Sequence, residues 1–373
     1  MSATAPVTEP NSSPQHDPDE EMPRTRLTRG RMIAFGVFVA SSLAFLYFVL
    51  PQLAGLDTTW KRIGDGDPFW LAIAAGFELV SFGGYILLFR TVFVRGGSRI
   101  DWRESYQITM AGLAATRLFA AAGAGGVALT AWALRRSGMD AREVTVRMVA
   151  FMSLLYAVYM GTLVVDGVLL RTGVFPGNAP FAFTVVPAAL GAAALLAFGA
   201  MALVPGDLER RLERWAGGRR RGLARVAGRV ATVPALVAEG VREALRLMRE
   251  REFGLLGAFV WWAFDIAVLW ACFHAFGDPP SKAVIVMAYF AGMIANVLPF
   301  PGGIGGVEGG MIGALIVFGV PGGLAVVAVL AYRALAFWLP TIPGAIAYLQ
   351  LRRTVNRWRQ ERTRAGPAAA ARA

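Results

Sequence analysis

Runs of about 20 apolar residues recur along the chain and are separated by shorter polar stretches. A helix needs this length to cross a hydrocarbon core of about 30 Å, so the runs predict membrane spans. They cover residues 32–50, 69–90, 148–170, 180–204, 253–276 and 322–350, the last interrupted by Pro340 and Pro343. Two further apolar segments, 105–134 and 283–319, are broken by glycine and proline. We therefore predict an all-α polytopic membrane protein with about seven full transmembrane helices and two broken segments.

The two broken segments share a sequence. Residues 111–127 and 291–307 are identical at 8 of 17 positions, and both end in Gly-x-Gly-Gly-Val. Glycine-interrupted apolar segments that match between two halves of a membrane protein are the best sequence indication of a transport site. The duplication therefore predicts an internal repeat with a site near its two breaks.

The basic residues are distributed unevenly between the loops. Of 37 Lys and Arg residues, 31 fall in the segments before 32, at 90–104, at 135–147, at 205–252 and after 350, whereas the remaining loops hold 4. Cytoplasmic loops carry such an excess of basic residues. We therefore expect the protein in the cytoplasmic (plasma) membrane with both termini in the cytoplasm. The net charge of +12 is explained by this loop bias, and we expect no nucleic-acid partner.

This charge distribution constrains the broken segments. Segment 105–134 lies between two basic loops, so it should enter and leave on the cytoplasmic side, whereas 283–319 should enter and leave on the outer side. Each arm has about 15 residues and would span roughly 22 Å, which favours re-entrant segments over two short crossings. Because the two copies enter from opposite faces, we predict an inverted-topology repeat with its site at the midplane.

The predicted layout has a disordered cytoplasmic tail at 1–31, a membrane domain at 32–350 and a basic cytoplasmic tail at 351–373. The membrane domain divides into a first half at 32–204 and a second half at 253–350. Between them, residues 205–252 are Arg-rich, with apolar residues at helical spacing. This pattern predicts amphipathic cytoplasmic helices that lie on the inner leaflet, or alternatively solvated connector helices.

Ionisable residues inside membrane spans are costly and indicate function by default. Arg117 and Arg333 suit bidentate phosphate binding, and Glu308 is expected to pair with Arg333 or to meet a cationic group. The alternatives are a structural buried ion pair for the arginines and a helix N-terminal carboxylate for Glu308. Asp166 is expected at the outer interface. The candidate substrate-binding residues are Glu78, Arg117, Asp265, Asn296, Glu308 and Arg333.

The glycines and prolines of the breaks are expected to shape a cavity, since unwound backbone at membrane depth occurs only where it is buried in protein or lines a wet space. Tight helix packing is the alternative, because Gly305, Gly309 and Gly313 recur at one helical face and Gly306 and Gly310 at another. The candidate cavity residues are Gly123, Gly125, Gly126, Pro301, Gly302, Gly303, Gly305 and Gly306.

Enzyme motifs are missing from the sequence. It contains no His-Glu-x-x-His, Gly-x-Ser-x-Gly, P-loop or Asp-rich prenyl-diphosphate motif. Its single cysteine, Cys272, lies in an apolar run and is expected in the core. We therefore predict no catalytic residues, no metal site and no cofactor.

Two runs carry a resemblance to a known family. PFPGGIGGVEGG at 299–310 and AYRALAFWLPTIPG at 331–344 resemble the lysylphosphatidylglycerol synthase transmembrane-region family of flippase-like integral membrane proteins. The family motifs fall on Pro301, Gly302, Gly303, Gly305 and Glu308, and then on Tyr332, Arg333, Phe337 and Trp338. Many members carry an acidic residue after the first glycine cluster, where this chain has Val127, Ala128 and Leu129.

The resemblance implies lipid translocation between leaflets. Fused members carry a cytosolic aminoacyltransferase that this sequence does not match, so synthase activity is not implied and we expect no enzyme. We predict a flippase-like protein that binds and translocates an anionic or aminoacylated phospholipid or a lipid-linked intermediate. The alternatives are a membrane-embedded lipid-linked glycosyl- or phosphotransferase and a non-transporting scaffold for envelope lipid biosynthesis. Beyond membrane lipids, the expected partners are a second copy of the chain or a separate lipid-modifying enzyme.

Overall fold

The computed structural model describes residues 64–95, 98–118, 124–175, 179–204, 221–294 and 305–370, and this part of the chain is helical with short connections. The first half contains α1 (Pro68–Phe93), α2 (Trp102–Leu118), α3 (Ala124–Arg136), α4 (Ala141–Arg171) and α5 (Phe181–Ala202). The linker forms α6 (Arg221–Glu250). The second half contains α7 (Leu256–Phe276, after a 3₁₀ turn at Phe253–Leu255), α8 (Lys282–Ile294), α9 (Gly306–Val317), α10 (Gly322–Arg333), a π-helical turn (Ala334–Trp338) and α11 (Thr341–Ala370).

Five of the described helical stretches are long and apolar enough to cross a membrane. They are Pro68–Phe93, Ala141–Arg171, Phe181–Ala202, Phe253–Phe276 and Gly322–Glu361. The last runs from α10 through the π-helical turn into α11. The polytopic all-α prediction is confirmed, and the predicted span 32–50 lies outside the described residues. Helix α4 begins at Ala141, earlier than the predicted residue 148, because Asp140 accepts a hydrogen bond from the backbone N–H of Glu143 and caps it.

Helices α1 and α7 form an antiparallel pair at the centre. The backbone N–H of Asp67, at the start of α1, donates to the carbonyl of Ala275, near the end of α7, at 2.9 Å. Further along, Gly84 faces Gly257, and a Cβ on Gly84 would lie only 2.8 Å from the Gly257 carbonyl oxygen. Small residues let the two backbones approach closely, as in membrane helix pairs generally. The first spans of the two halves are therefore joined along their length.

Each broken segment folds as two helices that cross at a glycine. In the first, Gly126 of α3 packs so closely on Gly112 of α2 that a Cβ would overlap the Gly112 carbonyl oxygen. In the second, a Cβ on Gly310 of α9 would lie 3.0 Å from the Cα of Gly292 in α8. Gly112 and Gly292 are equivalent in the duplicated sequence. The packing interpretation therefore holds for the Gly310 face, whereas Gly309 and Gly313 have open space beside them.

Each broken segment packs against a helix of the other half. Helix α2 packs against α11: the Thr354 hydroxyl donates to Gln107 Oε1 at 2.8 Å, in a buried position, and Arg357 pairs with Glu104 at 3.0 Å. Glu104 also forms a reciprocal cap with Asp101 at the start of α2, and this hydrogen bonding lowers the pKa of Asp101. Helix α8 packs reciprocally against α4, where the Tyr159 hydroxyl donates to the Phe290 carbonyl at 3.1 Å.

The linker helix α6 packs on the protein along the face that was expected to lie on lipid. Ala238, Val241, Ala244 and Leu247 are buried, and a Cβ on Gly240 would lie 2.5 Å from the Cβ of Val149 in α4. Over residues 234–250 this buried face covers α4, whereas Met248 of the predicted apolar face is 52% exposed. The basic segment after residue 350 continues α11, with Leu351, Val355 and Trp358 buried.

Candidate functional site: a buried charge cluster

Glu308 and Arg333 form a buried ion pair. Glu308 is 1% exposed and Arg333 6% exposed, and Arg333 Nε donates to Glu308 Oε1 at 2.6 Å. The other carboxylate oxygen accepts from the backbone N–H of Gly305 at 2.8 Å, which caps the start of α9. Gly305 has φ of +83°, a conformation that favours glycine. Both interpretations of Glu308 are thus confirmed together: it is a partner for Arg333 and an N-terminal carboxylate.

Arg333 lies where α10 passes into the π-helical turn. Its guanidinium carbon lies 4.1 Å from the ring centroid of Phe337, and that of Arg117 lies 5.3 Å from the same ring. Cations over an aromatic face are attracted by the ring quadrupole, more strongly when desolvated. Phe337 therefore contacts both guanidinium groups and stabilises both.

Arg117, in the last turn of α2, binds backbone carbonyls of the second half. Its Nη2 donates to the Ala336 carbonyl at 3.0 Å and its Nη1 to the Phe337 carbonyl at 3.1 Å. In α-helical register the Ala336 carbonyl would accept from residue 340, which is proline and has no N–H. Arg117 thus satisfies an acceptor that the proline leaves without its helical donor, and it joins the first half to the π-helical turn of the second half.

Two further acids face each other across the α1–α7 pair. Glu78 is 4% exposed and Asp265 7% exposed, and each lies near the middle of its helix. Tyr289 and Tyr332 both donate to Asp265 Oδ2, the latter at 3.3 Å. Glu78 lies beside Asp265, with Arg117 as its neighbouring cation. Glu78 Oε2 and Asp265 Oδ1 make no hydrogen bond with any described residue.

The structure thus brings five of the six predicted substrate-binding residues into one buried cluster of three carboxyl groups and two guanidinium groups. Helices of both halves contribute to it. The sixth, Asn296, lies outside the described residues, as do Gly123, Pro301, Gly302 and Gly303. Of the remaining predicted cavity residues, Gly125 and Gly126 lie in the first turn of α3, and Gly305 and Gly306 begin α9.

Sequence reasoning missed the two tyrosines as members of the cluster. Tyr332 was noted only as part of a family motif, and Tyr289 lies in an apolar run. Both are fully buried. A buried tyrosine usually hydrogen-bonds through its hydroxyl, but the sequence does not show that these two are buried. Asp166, expected at the outer interface, is 5% exposed, because α5 crosses α4 at Gly167.

An apolar groove of about 380 Å³ runs along α7 beside this cluster. Its walls include Phe77, Val158, Trp262, Ile266, Trp270 and Lys282. At one end the Lys282 ammonium lies 6.0 Å from the ring centroid of Trp270, and His274 stacks on Trp70 at 4.3 Å. Trp262, in the groove wall, contacts the ring of Tyr289, whose hydroxyl donates to Asp265, so these two side chains lie between the groove and that acid. A continuous apolar run gives no sequence sign of such a groove.

Comparison with known proteins agrees with this architecture. The family model described as the lysylphosphatidylglycerol synthase TM region matches residues 33–344. Two curated relatives, both named UPF0104 membrane protein and both from Methanothermobacter thermautotrophicus, are 40% identical over 86 residues and 30% identical over 102 residues. The matched parts cover 23% and 26% of this chain, and the chain spans only 26% and 29% of the length of those relatives. The family match covers most of the chain, which is therefore a member of the lysylphosphatidylglycerol synthase transmembrane-region family.

Proposed function

We propose that this protein binds an anionic or aminoacylated phospholipid and translocates its headgroup across the cytoplasmic membrane through the cluster of Glu78, Arg117, Asp265, Glu308 and Arg333. The observation that carries the proposal is a cluster of five ionisable side chains inside a membrane domain, four of them buried and Arg117 partly buried, at the contact between its two halves. Buried charges are expensive in a membrane and mark substrate or ion pathways. A phospholipid headgroup offers a phosphate for guanidinium groups and, when aminoacylated, an ammonium for carboxylates.

The proposal includes an inverted-topology repeat. The duplicated Gly112 and Gly292 have the same packing role, and each half packs its broken segment against the other half. On the proposed topology α2–α3 is a re-entrant segment from the cytoplasmic side and α8–α9 one from the outer side, with both termini cytoplasmic. Repeats of this kind move against each other around a midplane site. Arg117 would hold the two halves together, since it joins α2 to two carbonyls of the π-helical turn.

The groove along α7 supplies the apolar part of the proposed site. A translocating lipid keeps its acyl chains in the hydrocarbon while its headgroup passes through protein. The groove is apolar along its length and ends at Lys282, where a cation on the proposed outer side would meet an anionic headgroup. Trp262 would then be the element that lets a headgroup in the groove reach the cluster.

We propose that the protein is a transporter rather than an enzyme. The alternatives are a lipid-linked glycosyl- or phosphotransferase and a scaffold for envelope lipid biosynthesis. A transferase would need carboxylates grouped at a membrane interface, whereas Glu78 and Asp265 lie mid-helix. A second copy of the chain or a separate lipid-modifying enzyme are further proposed partners.

Reconstitution into liposomes tests the proposal. Headgroup-labelled phosphatidylglycerol and lysylphosphatidylglycerol are placed in one leaflet, and their appearance in the other is followed with a membrane-impermeant quencher. We expect Arg333→Ala to reduce protein-dependent flipping at least tenfold while membrane insertion is retained. The matched control is Arg171→Ala, at an exposed arginine outside the cluster that makes one 3.5 Å contact to the Ala179 carbonyl. Full flipping by Arg333→Ala would refute the proposal, and a chemically altered lipid would favour the transferase.

A further inference from the structure

The charges of the cluster do not balance. Glu308 is matched by Arg333, at 2.6 Å. Arg117 lies beside Glu78 and Asp265 but directs its Nη1 and Nη2 donors at two carbonyls. Arg333, the other cation near Asp265, is already paired with Glu308. With every group ionised, the five described side chains would carry one surplus negative charge. An unpaired buried charge is costly enough that such a group takes up a proton instead.

The hydrogen bonds of the two acids show where a proton fits. Asp265 Oδ2 receives the hydroxyls of Tyr289 and Tyr332, which stabilise Asp265 as an anion. Glu78 Oε2 and Asp265 Oδ1 have no partner among the described residues, and the two carboxyl groups are adjacent. Two carboxylates cannot hydrogen-bond to each other, but one carboxylic acid can donate to its neighbour. A single proton would therefore remove the surplus charge and satisfy Asp265 Oδ1.

We propose that Glu78 and Asp265 share one exchangeable proton, carried by Glu78 and donated toward Asp265. Like charges in close contact cannot both stay ionised, which is why paired carboxyl groups hold one proton between them. The pair is surrounded by groups that fix its charge state. The titratable and charged side chains on the helices packed around it are Cys272 on α7, Arg117 on α2, Tyr289 on α8, Glu308 on α9, and Tyr332 and Arg333 on α10.

Loss of this proton would be linked to movement of Arg117. When Glu78 releases it, the pair becomes a dianion with a stronger attraction for the Arg117 guanidinium, which would be drawn toward the acids and away from the carbonyls of Ala336 and Phe337. That movement would open the contact between α2 and the π-helical turn. On the proposed function, which this part of the inference requires, the proton is the ion whose movement drives or accompanies headgroup transfer.

Infrared spectroscopy of the full-length protein in lipid tests the shared proton without requiring transport. We expect the carbonyl-stretch band of a protonated carboxylic acid at pH 7, shifted in D₂O and reduced in Glu78→Gln, with any part that comes from Asp166 identified by its loss in Asp166→Asn. That variant keeps the size of the side chain and a donor toward Asp265 Oδ1, so it should fold. Asp166→Asn is the matched control, because Asp166 is also a buried acid with an unpartnered oxygen. A wild-type protein without the band, or a Glu78→Gln variant that keeps the whole of it, would overturn the proposal.

Liposome flipping under an imposed pH gradient tests the link to transport. We expect the gradient to change the wild-type rate severalfold and to leave the rate of Glu78→Gln unchanged. Flipping that ignores the gradient in the wild type would overturn the coupling. A protonated Glu78 in a protein that flips no lipid would instead refute the proposed function and leave the shared proton intact, so the two failures are distinguishable.

Discussion

Arg117 Nη2 donates a 3.0 Å hydrogen bond to the carbonyl oxygen of Ala336, 219 residues away. Pro340 deprives this carbonyl of its helical donor, and the first half of the membrane domain provides the replacement. A second bond, to the Phe337 carbonyl at 3.1 Å, makes the contact bidentate. The planar guanidinium group suits this geometry because it presents several donors in a fixed fork.

We therefore predict that Arg117→Lys destabilises the protein although it keeps the charge. A lysine ammonium is a point charge and cannot reproduce the fork. The Phe337 carbonyl keeps the Thr341 hydroxyl as a donor at 2.7 Å, whereas the Ala336 carbonyl would lose its donor, at a cost of about 1–3 kcal/mol. Arg117→Ala should cost more, because it also leaves the neighbouring acids without their cation. Thermal unfolding in detergent measures both, with Arg171→Lys as the exposed control. Equal stability of Arg117→Lys and wild type would show that the two carbonyl contacts contribute nothing.

The buried pair of Glu308 and Arg333 predicts a non-additive double variant. Removing one partner leaves an uncompensated buried charge, so Glu308→Gln and Arg333→Met should each cost about 3 kcal/mol. The double variant should recover most of that loss, since glutamine can still accept from the Gly305 N–H and no charge remains. Flipping should stay abolished in all three. Costs that simply add in the unfolding experiment would mean that the pair is not coupled.

Much of this arrangement could be predicted from sequence, because the cost of burying a charge singles out the residues concerned. Glu308 and Arg333 stand out as ionisable groups in apolar runs, and their pairing follows from that cost. The partners of Arg117 could not be predicted in the same way. Pro340 indicates that the Ala336 carbonyl needs a donor, but only the fold decides which donor reaches it.

The linker helix illustrates a second limit. Helical spacing of apolar residues at 237–248 predicts an apolar face, and burial of Val241 and Leu247 agrees with it. Hydrophobicity alone does not say whether lipid or protein covers such a face. Gly240 is the residue that distinguishes the two cases, because it lies where α6 closely approaches Val149. A glycine within an amphipathic helix is better explained by a closely packed neighbouring helix than by contact with the bilayer.

Glycines of the two broken segments should respond differently to substitution by alanine. Gly126→Ala would place a methyl group against the Gly112 carbonyl and the Thr116 hydroxyl, so it should destabilise the protein by about 1–3 kcal/mol, as overpacking does. Gly309→Ala, in a helix with open space beside it, should be neutral or stabilising by up to about 1 kcal/mol. The pair is compared by thermal unfolding in the same detergent. Equal effects would mean that the crossing of α2 and α3 is not tightly packed.

Cysteine labelling from one side of the membrane tests the orientation of both broken segments. Cys272 is fully buried, so single cysteines can be added to the otherwise native chain with little background. Ser98→Cys and Ser137→Cys flank α2–α3, and a re-entrant hairpin requires both to react only from the cytoplasmic side. Asp278→Cys and Gly319→Cys flank α8–α9 and should react only from outside, although Gly319 has φ of +91° and needs a folding control. Labelling of Ser98→Cys and Ser137→Cys from opposite sides would mean that α2–α3 crosses the membrane. The inverted repeat, and the midplane position it implies for the charge cluster, would then be wrong.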